Sequence, residues 1–469
     1  MVDRRGLTEL MDKARLTVIG GGLAGTEAAW QAAQRGTPVT LFEMRPARMT
    51  GAHKTGRLAE LVCSNSLRAV SVENAVGLIK EEMARLDSLV VACARAAAVP
   101  AGGALAVDRE RFAELIESRL AAHPLIDIRR EEKRSIDPAV VSVVACGPLA
   151  SESLAASLSA LCGSAQLHYY DAASPIVDAE SIDVSQVYAA SRYGKGGGTD
   201  YLNIPLDREQ YLQLVRDLIA AEKHEPHGFE ADAACGDVPY FEACLPIEVM
   251  AERGVETLRF GPLKPVGLEH PATGKRPYAV VQLRRENADA TAYNLVGFQT
   301  RLTWPAQKAA FGKLPGLQRA EWLRLGVMHR NTFVDAPRVL RADLSLKSAP
   351  DVFLAGQVTG SEGYVEAAAT GIVASINACR RLRGDAAAFV PPPTTAMGAL
   401  CAYLRDDSTP DFQPQNVTFA YFAPLEAPLR DKKARRRALA ERALAEIDRI
   451  AAQLKSEPST RAAVAATAT

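Results

Sequence analysis

Cys244 has the setting in this 469-residue sequence that most favours covalent chemistry. It lies two residues before Pro246, which suits the first position of a helix, and Gly254 marks where that helix is expected to stop. A cysteine just before a helix N-terminus is favoured as a thiolate by the helix dipole and by free backbone N–H groups. Cys244 is therefore a candidate nucleophile, although most cysteines are small buried apolar residues.

A glycine-rich turn between a predicted strand and a predicted helix indicates a dinucleotide cofactor. The run 16–19 is apolar and β-prone, residues 26–33 are helical in composition, and a second strand, 37–42, leads into an acid. In such a βαβ unit the glycines allow a tight turn, a close pyrophosphate and close helix packing, and the acid holds a ribose 2′-hydroxyl. This acid favours FAD or NAD over NADP. The predicted cofactor-binding residues are Gly20, Gly21, Gly22, Leu23, Ala24, Gly25 and Glu43.

A second strand, glycine turn and helix near the other end of the chain favours FAD over NAD. Residues 351–355 read as a buried strand, Gly356 and Gly363 lie in the turn, and an Ala-rich helix follows to about Arg381. FAD is long enough to need one helix for its pyrophosphate and another near its flavin, where a helix N-terminus close to Gly363 would stabilise negative charge. The alternative is a second, purely structural crossover.

These elements must be carried by a chain that is too long for one hydrophobic core. We expect an α/β fold: a doubly wound, Rossmann-type FAD-binding domain that is discontinuous, with an inserted α+β domain. The first FAD-binding segment is predicted at 14–170, the inserted substrate or RNA domain at 171–329, and the second FAD-binding segment at 330–455. A disordered tail is predicted at 456–469 because its residues are small and polar.

The composition excludes several classes of protein. Lys and Arg number 55 and so do Asp and Glu, so no net charge would attract a polyanion and any nucleic acid must bind to local basic patches. The eight cysteines are scattered without a CxxC pair, which argues against a metal site and disulfides and favours a reducing cytoplasm. No apolar run is long enough to span a membrane.

Two segments have a composition that suits RNA. The loop 191–201, SRYGKGGGTDY, combines two cations with two tyrosines, which can contact phosphate and stack on a base. The run 430–437, RDKKARRR, has six cations and opens a predicted helix that continues to about Leu454. The loop is equally compatible with a solvated hairpin, and a charge run is usually a solvated helix face.

The motifs taken together resemble the TrmFO family of folate- and FAD-dependent tRNA uracil-5-methyltransferases, which is related to the MnmG (GidA) flavoproteins. The match extends over nearly the whole chain, and CSNSLR, CLPIE and GPLKPVG are the segments specific to the family. The segments that carry it are VIGGGLAGTEAAW (18–30), FEMRP (42–46), AELVCSNSLR (59–68), NAVGLIKEEM (74–83), SRYGKGGGTDYLN (191–203), FEACLPIEVMAERG (241–254), LRFGPLKPVGL (258–268), YNLVGFQT (293–300), GVMHRNTF (326–333) and GYVEAAATGI (363–372).

The resemblance implies a reaction, two co-substrates and a partner. The methylene group of methylenetetrahydrofolate would be transferred to C5 of the T-loop uridine of tRNA. Reduced FAD would supply the electrons, and NAD(P)H would reduce the FAD. Uracil C5 is a poor nucleophile until a thiolate adds at C6, so such an enzyme needs a reactive cysteine. The resemblance implies neither a metal nor a membrane, and it leaves open whether the chain is a monomer or a homodimer.

Two cysteines match the family pattern, Cys63 in CSNSLR and Cys244 in CLPIE. We expect Cys244 to be the uracil nucleophile and Cys63 a partner on the flavin side, and the reverse assignment stays open. Tyr364 and His53 are candidates for contacts with the pterin or the flavin. The sequence departs from the family at Ala243, where glycine is usual, and at Ile204, where cysteine is frequent.

Three other functions compete with this one. The first is the same chemistry on a ribosomal RNA uridine, which no motif distinguishes. The second is an FAD oxidoreductase acting on a small molecule, which leaves both cysteine motifs and the basic helix unexplained. The third is a tRNA-binding flavoprotein without methyltransferase activity, in which the cysteines are structural.

Overall fold

The computed structural model describes residues 14–163, 167–172, 174–224, 245–326, 328–408 and 412–460. Its strands, numbered in chain order, are β1 (Leu16–Ile19), β2 (Val39–Phe42), β3 (Ser66–Ala69), β4 (Ala98–Val99), β5 (Ala104–Val107), β6 (Ile126–Arg129), β7 (Ser142–Val144), β8 (Leu167–Ala172), β9 (Ile176–Asp178), β10 (Tyr188–Ala189), β11 (Tyr201–Leu206), β12 (Ala279–Arg285), β13 (Ala292–Leu295), β14 (Trp322–Arg324), β15 (Met328–Phe333) and β16 (Val352–Leu354).

The helices of the described residues, in the same order, are α1 (Leu23–Gln34), α2 (Ala75–Arg85), α3 (Leu89–Ala96), α4 (Arg109–Ala121), α5 (Glu152–Cys162), α6 (Arg208–Ala220), α7 (Ile247–Glu252), α8 (Thr257–Phe260), α9 (Trp304–Phe311), α10 (Ala336–Val339), α11 (Tyr364–Arg383), α12 (Ala396–Tyr403) and α13 (Lys432–Ser456).

The first part of the structure is formed by both ends of the chain and has a five-stranded parallel sheet at its centre. The strand order is β16-β7-β1-β2-β6. Its middle strand is apolar on both faces, and Val18 pairs with Leu41 on one side and Val143 on the other. Helices must cover both faces of such a sheet, because a parallel crossover has to return over one face. Helices α1 and α11 cover it in direct contact with each other, so the two ends of the chain share one core.

The inserted segment forms a six-stranded antiparallel sheet, β10-β11-β12-β13-β9-β14. Its strands β12 and β13 are buried at most positions, so both faces of the sheet are covered there, and one face carries helices of the insertion. Helices α6 and α9 pack on that face around Tyr211, Phe298 and Phe311, which are fully buried. This second core uses residues from Val177 to Leu317 and is separate from the first.

Two antiparallel strands connect the two parts. Strand β8 carries the chain into the insertion and β15 carries it back, and the two pair along six residues from Leu167 with Phe333 to Ala172 with Met328. A further small antiparallel sheet, β3-β5-β4, belongs to the first part and lies beside the insertion. The predicted fold class, a Rossmann-type α/β domain interrupted by an α+β insertion, is confirmed; the exact domain boundaries stay predictions.

The C-terminal helix α13 packs against α2, where Arg85 pairs with Asp448 at 2.7 Å. The prediction of disorder from Ser456 is wrong for the residues that follow directly. Thr460 is buried and its hydroxyl lies 2.6 Å from that of Thr37, and Glu457 pairs with Arg383 at 2.7 Å. Small polar residues can therefore be fixed by hydrogen bonds; residues 461–469 lie outside the described residues.

Candidate active site

The first glycine turn joins β1 to α1 at the carboxyl edge of the parallel sheet. Gly20 has a φ of +107°, and a Cβ there would stand 2.4 Å from the Ala145 carbonyl oxygen. A Cβ on Gly25 would stand 1.8 Å from the Gly20 carbonyl oxygen. Both positions therefore exclude any side chain, and they bring the start of α1 close against β1 and β7, as the motif predicts.

Gly22 differs from the other glycines of the turn, because no backbone angle or contact within the protein requires glycine at this position. Its φ of −75° is ordinary, and a Cβ there would meet no protein atom within 4 Å. As the N-cap of α1 it offers no side-chain hydrogen bond, so the N–H groups of the first turn, beginning with Leu23 and Ala24, face this open space. Open space beside a helix N-terminus fits a pyrophosphate that approaches the backbone closely.

Glu43 directly follows β2 and lies beneath the same turn. It is 5% exposed, and its carboxylate accepts hydrogen bonds from the Gly21 N–H (3.0 Å) and from the backbone and side chain of Arg45. Burial by itself would raise the pKa of Glu43, but hydrogen bonds from Arg45 and its positive charge hold that pKa below its ordinary value. The carboxylate is ionised and stabilises the turn. A ribose hydroxyl, the predicted ligand of Glu43, requires Arg45 to release one of these positions, and that contact stays a prediction.

The second glycine turn brings α11 against α1. A Cβ on Gly356, which has a φ of +83°, would stand 3.0 Å from the Ala24 side chain. Gly371 in α11 packs on the Ala24 backbone, where a Cβ would stand 2.4 Å from the carbonyl oxygen. The N-terminus of α11, at Gly363, lies among polar groups, since Arg68 pairs with the buried Glu366 in its first turn. Both predicted helix N-termini are therefore present, on adjacent helices.

Tyr364 and Cys63, 301 positions apart in the chain, are in contact. The Tyr364 hydroxyl accepts hydrogen bonds from the backbone N–H groups of Cys63 (2.8 Å) and Ser64 (3.1 Å). Burial raises the pKa of Tyr364 above its ordinary range, so the phenol stays neutral. The first residue of α11 thus fixes the CSNSLR loop, and the structure brings together these two predicted site residues.

Three arginines that the sequence did not single out lie around Cys63. Arg109 pairs with Glu286 (2.5 Å) and also donates to the Leu61 carbonyl oxygen. Arg284 donates to the Asn65 side chain (2.8 Å) and to the Ser64 hydroxyl (2.7 Å). Arg324 contributes a third positive charge that acts on the same thiol and on Tyr364. Arg284 and Arg324 come from the insertion, so the Cys63 loop lies at the junction of the two parts.

His53 occupies a partly buried position close to the same region. Its Nδ1 lies 2.6 Å from the Thr50 hydroxyl. Burial, with the positive charge of Arg45, lowers the pKa of His53 to about 4, so the imidazole is neutral near pH 7. A neutral imidazole is a hydrogen-bonding or stacking group, and its contact with a pterin or flavin stays a prediction.

Cys244 lies outside the described residues, which resume at Leu245. The helix after it is shorter than predicted: α7 is six residues long and Pro246 is its N-cap rather than its first helical residue. Glu248, four residues after Cys244, is buried and accepts hydrogen bonds from the Thr300 hydroxyl (2.8 Å) and the Arg301 N–H (2.8 Å).

The remaining cysteines that the structure describes are packing residues. Burial raises the pKa of Cys93 and Cys162 to about 11, and that of Cys146 and Cys401 to about 12. Cys379 is buried too, and it accepts a hydrogen bond from Thr37 (3.2 Å). Cys235 lies outside the described residues. These thiols are neutral and unsuited to nucleophilic attack.

Over the described part of the chain, no group of three or more His, Cys, Asp and Glu side chains is arranged to hold a metal ion. In the same residues, none of the helices is both apolar enough and long enough to cross a lipid bilayer.

Comparisons with known proteins agree with this architecture. The model of the family described as "Glucose inhibited division protein A" matches residues 15–386. Two crystal forms of Aquifex aeolicus GidA superpose with TM-scores of 0.67 and 0.68 at 17% and 18% identity. They cover 97% and 96% of this chain and 76% and 77% of GidA. At this identity the superposition shows a shared fold.

Sequence relatives are much closer. Proteins of Anaeromyxobacter dehalogenans and Geobacter sulfurreducens, both named "Methylenetetrahydrofolate--tRNA-(uracil-5-)-methyltransferase TrmFO", are 57% and 55% identical to this chain. The alignments cover 93% and 92% of this chain and 96% and 98% of the relatives. Identity of this extent over nearly both full lengths, together with the matching fold, shows that the chain belongs to the TrmFO family.

Proposed function

We propose that this protein methylates C5 of the T-loop uridine of tRNA, using methylenetetrahydrofolate as the one-carbon donor, FAD as the redox cofactor and NAD(P)H as the reductant. The observation that carries the proposal is the contact between Tyr364 and the Cys63 loop. It places a cysteine of the family motif at the N-terminus of the second dinucleotide helix, among cations from both parts of the chain.

The residues present fit FAD. The pyrophosphate would lie in the open space at Gly22, and the second helix N-terminus, at Gly363 and Tyr364, would lie near the flavin. Bound FAD supplies the reducing electrons. The chain contributes the cradle, a neutral phenol and neutral imidazole, and the thiols.

A thiolate is needed because uracil C5 is not nucleophilic. When sulfur bonds to C6, the C5–C6 π electrons move toward O4, and C5 can then attack the one-carbon unit. Loss of the C5 proton with departure of the carrier nitrogen leaves a methylene on C5. A hydride equivalent from the reductant then converts this methylene to methyl as the C6–S bond breaks, which restores the ring. We assign Cys244 to this attack and Cys63 to the flavin side, because Tyr364 ties Cys63 to the helix expected to face the flavin.

Two basic features converge on Val70, which is 49% exposed and lies seven residues after Cys63. On one side, Lys195 packs over Gly103, whose carbonyl oxygen accepts from the Val70 N–H (2.9 Å). On the other, Arg437 of α13 pairs with Glu73 (3.1 Å). Extended chain rises about 3.3 Å per residue, so this surface lies at most about 23 Å from Cys63. An RNA bound there would lie within that distance of the thiol.

The insertion adds aromatic side chains to this surface. Tyr193, 63% exposed, packs on Gly267, and Phe260 is 73% exposed beside Arg259. Arg192 ties the two loops together by donating to the carbonyl oxygens of Lys264 and Val266. Exposed aromatic rings beside cations are the groups on which unpaired bases stack. The loop 191–201 is therefore better explained as an RNA contact than as a solvated hairpin.

The decisive experiment is an assay with purified protein, FAD, NAD(P)H, methylenetetrahydrofolate and an unmodified tRNA transcript. We expect 5-methyluridine in the T-loop, and none from the Cys244→Ser variant. Cys162→Ser is the control, because that thiol is remote from the motifs and partly buried. Product from Cys244→Ser at the wild-type rate would move the nucleophile to Cys63 or remove the covalent step.

The competing functions predict other outcomes of the same assay. Methylation of ribosomal RNA fragments but not tRNA would retain the chemistry and change the target. Consumption of NAD(P)H without a methylated RNA would indicate an oxidoreductase, and tRNA binding with neither would indicate a non-catalytic flavoprotein. A cytoplasmic location follows from the proposed substrate and is part of the proposal.

A further inference from the structure

One edge of the Arg324 guanidinium has no partner among the described residues. Its Nε and Nη2 atoms are both buried, and neither donates a hydrogen bond there. Arg324 ends β14, the outermost strand of the insertion sheet, and its neighbour Leu323 faces solvent at 53% exposure. The strand pairing shifts between Trp322 and Arg324, so alternation does not fix the direction of this side chain. The charges of Arg109, Tyr364 and Cys63 that act on it show that it lies against the first part of the chain.

The surroundings of Arg324 do not supply a counter-ion within the described residues. The charges that act on it are those of Arg109, Tyr364, Cys63 and Glu286, and it acts in turn on His53. Glu286 is already taken, since Arg109 donates to both of its carboxylate oxygens (2.5 and 3.4 Å). Tyr364 and His53 are neutral, so positive charge exceeds negative charge around this edge.

An arrangement of this kind is unfavourable unless a ligand completes it. A buried charged donor without an acceptor is among the most destabilising polar features in a protein. Burial and the neighbouring Arg109 lower the pKa of Arg324, although a guanidinium keeps its charge. Arg284, equally close to the loop, shows the contrast, because its nitrogens are bonded to Asn65 and Ser64.

We propose that Arg324 is a ligand-binding residue whose Nε–Nη2 edge holds two acceptor atoms of an anionic group at the junction of the two parts. Nε and Nη2 present parallel N–H bonds, which match two adjacent acceptors rather than one. Two sources offer that chemistry: the N1–C2=O edge of a reduced flavin and a carboxylate of the folate. The assignment rests on the proposed cofactors.

The variants Arg324→Met and Arg324→Lys test it, with Arg276→Met as a control in an exposed ion pair with Glu269. Methionine removes the charge while keeping an apolar stem, and lysine keeps the charge without the paired edge. Far-ultraviolet circular dichroism and FAD content show which variant preparations are folded and contain the cofactor. The two readouts are the midpoint potential of bound FAD and the dissociation constant of methylenetetrahydrofolate, measured by flavin fluorescence.

If the edge holds reduced flavin, Arg324→Met lowers the midpoint potential and leaves folate affinity unchanged. A tenfold loss of preference for the reduced form corresponds to about 30 mV. If it holds a folate carboxylate, folate affinity falls about tenfold or more and the potential stays constant. In either case Arg324→Lys recovers only part of the effect, and Arg276→Met changes neither value.

If the midpoint potential and the folate affinity are unchanged in both Arg324 variants, the assignment of Arg324 is overturned and the proposed function is not affected. A wild-type protein that binds neither FAD nor folate would overturn the proposed function, and this assignment with it. Because an unpaired buried charge destabilises the ligand-free protein, Arg324→Met should be at least as stable as wild type without ligand; a clear loss of stability in that state would overturn the assignment by showing that Arg324 is structural.

Discussion

The Tyr364 hydroxyl accepts hydrogen bonds from two consecutive backbone N–H groups, those of Cys63 (2.8 Å) and Ser64 (3.1 Å). The acceptor belongs to the first residue of α11, and the donors belong to the loop that leads from β2 to β3. A neutral phenol oxygen thus fixes the backbone of a cysteine without competing for its sulfur. The position of Cys63 depends on a helix that starts 301 residues later.

We expect Tyr364→Phe to leave both N–H groups without an acceptor. Loss of a buried acceptor costs about 1–3 kcal/mol, so the free energy of unfolding should fall by that amount. Methyl transfer should fall as well, because the thiol is no longer held. Denaturant unfolding and the tRNA assay measure the two effects.

Tyr403→Phe is the control for this prediction, since the Tyr403 hydroxyl donates to a carbonyl oxygen, that of Gln413, away from the cysteine loop. A tyrosine in the hydrophobic core would be a poor control, because a change there would also disturb packing. Equal activity of Tyr364→Phe and wild type would show that the Cys63 loop keeps its geometry without this contact.

Gly22→Ala and Gly25→Ala should have opposite consequences. At Gly22 the added methyl meets no protein atom within 4 Å, so folding should be unaffected while FAD affinity falls roughly tenfold or more. At Gly25 the methyl would stand 1.8 Å from a backbone oxygen, so the protein should fail to fold. Circular dichroism and the flavin absorbance of the purified proteins distinguish the two. Full FAD content in Gly22→Ala would place the pyrophosphate elsewhere.

His53 should make stability depend on pH below neutrality. Its pKa is about 4 in the native protein, against 6.5 for an unperturbed imidazole. Between these values the unfolded chain binds a proton that the native protein does not, so stability is lost as pH falls from 6.5 toward 4. From pH 7 to 5 this amounts to about 2 kcal/mol.

The variant His53→Gln should lack this contribution. The free energy of unfolding of wild type minus that of the variant should therefore decrease between pH 7 and pH 5, as measured by urea unfolding at both values. A difference that stays constant with pH would mean that His53 titrates normally in the native protein.

The basic start of α13 should account for part of the salt dependence of tRNA binding. Lys432, Lys433 and Arg435 are exposed and form no ion pair with other described residues. Replacing all three with alanine should weaken binding and reduce the slope of log affinity against log salt by about 2 to 3. Filter binding at several salt concentrations measures the slope. Arg129→Ala, at the far edge of the parallel sheet, should leave it nearly unchanged.

Phe260→Ala should weaken tRNA binding without changing the salt slope. The ring is 73% exposed, so its loss leaves the fold intact, and stacking on one base contributes about 1–3 kcal/mol. Binding to the tRNA transcript and to a fully paired RNA duplex should be compared. An equal loss for both RNAs, or none for either, would contradict a stacking role.

The glycine turns were predictable from the sequence because their requirements are local. Gly20 and Gly25 exclude side chains through contacts within one βαβ unit, and the spacing of a strand, a turn and a helix records this directly. The order of the elements then gave the fold class. The helix after Cys244 was predicted to start one residue early, since Pro246 is its N-cap, but its end was predictable: Arg253 is the C-cap and Gly254 follows with a φ of +155°.

The cation cluster was not predictable in the same way. Arg109, Arg284 and Arg324 lie far apart in the chain and in no motif, and their common position depends on how the insertion docks. Asn65 and Ser64 lie in the CSNSLR motif, but the motif does not show that Arg284 is their partner. A pattern shows which residues are adjacent in sequence, whereas this site is assembled across two cores.

The insertion enters through β8 and leaves through β15, and these strands pair with each other rather than with the parallel sheet. The chain therefore departs from the dinucleotide fold and returns to it at a single place, without interrupting the strand order there. A domain attached in this way can be exchanged or reshaped in evolution as a module. The nucleotide cradle could then have remained constant while the recognised macromolecule changed, with only the few residues at the junction obliged to change together.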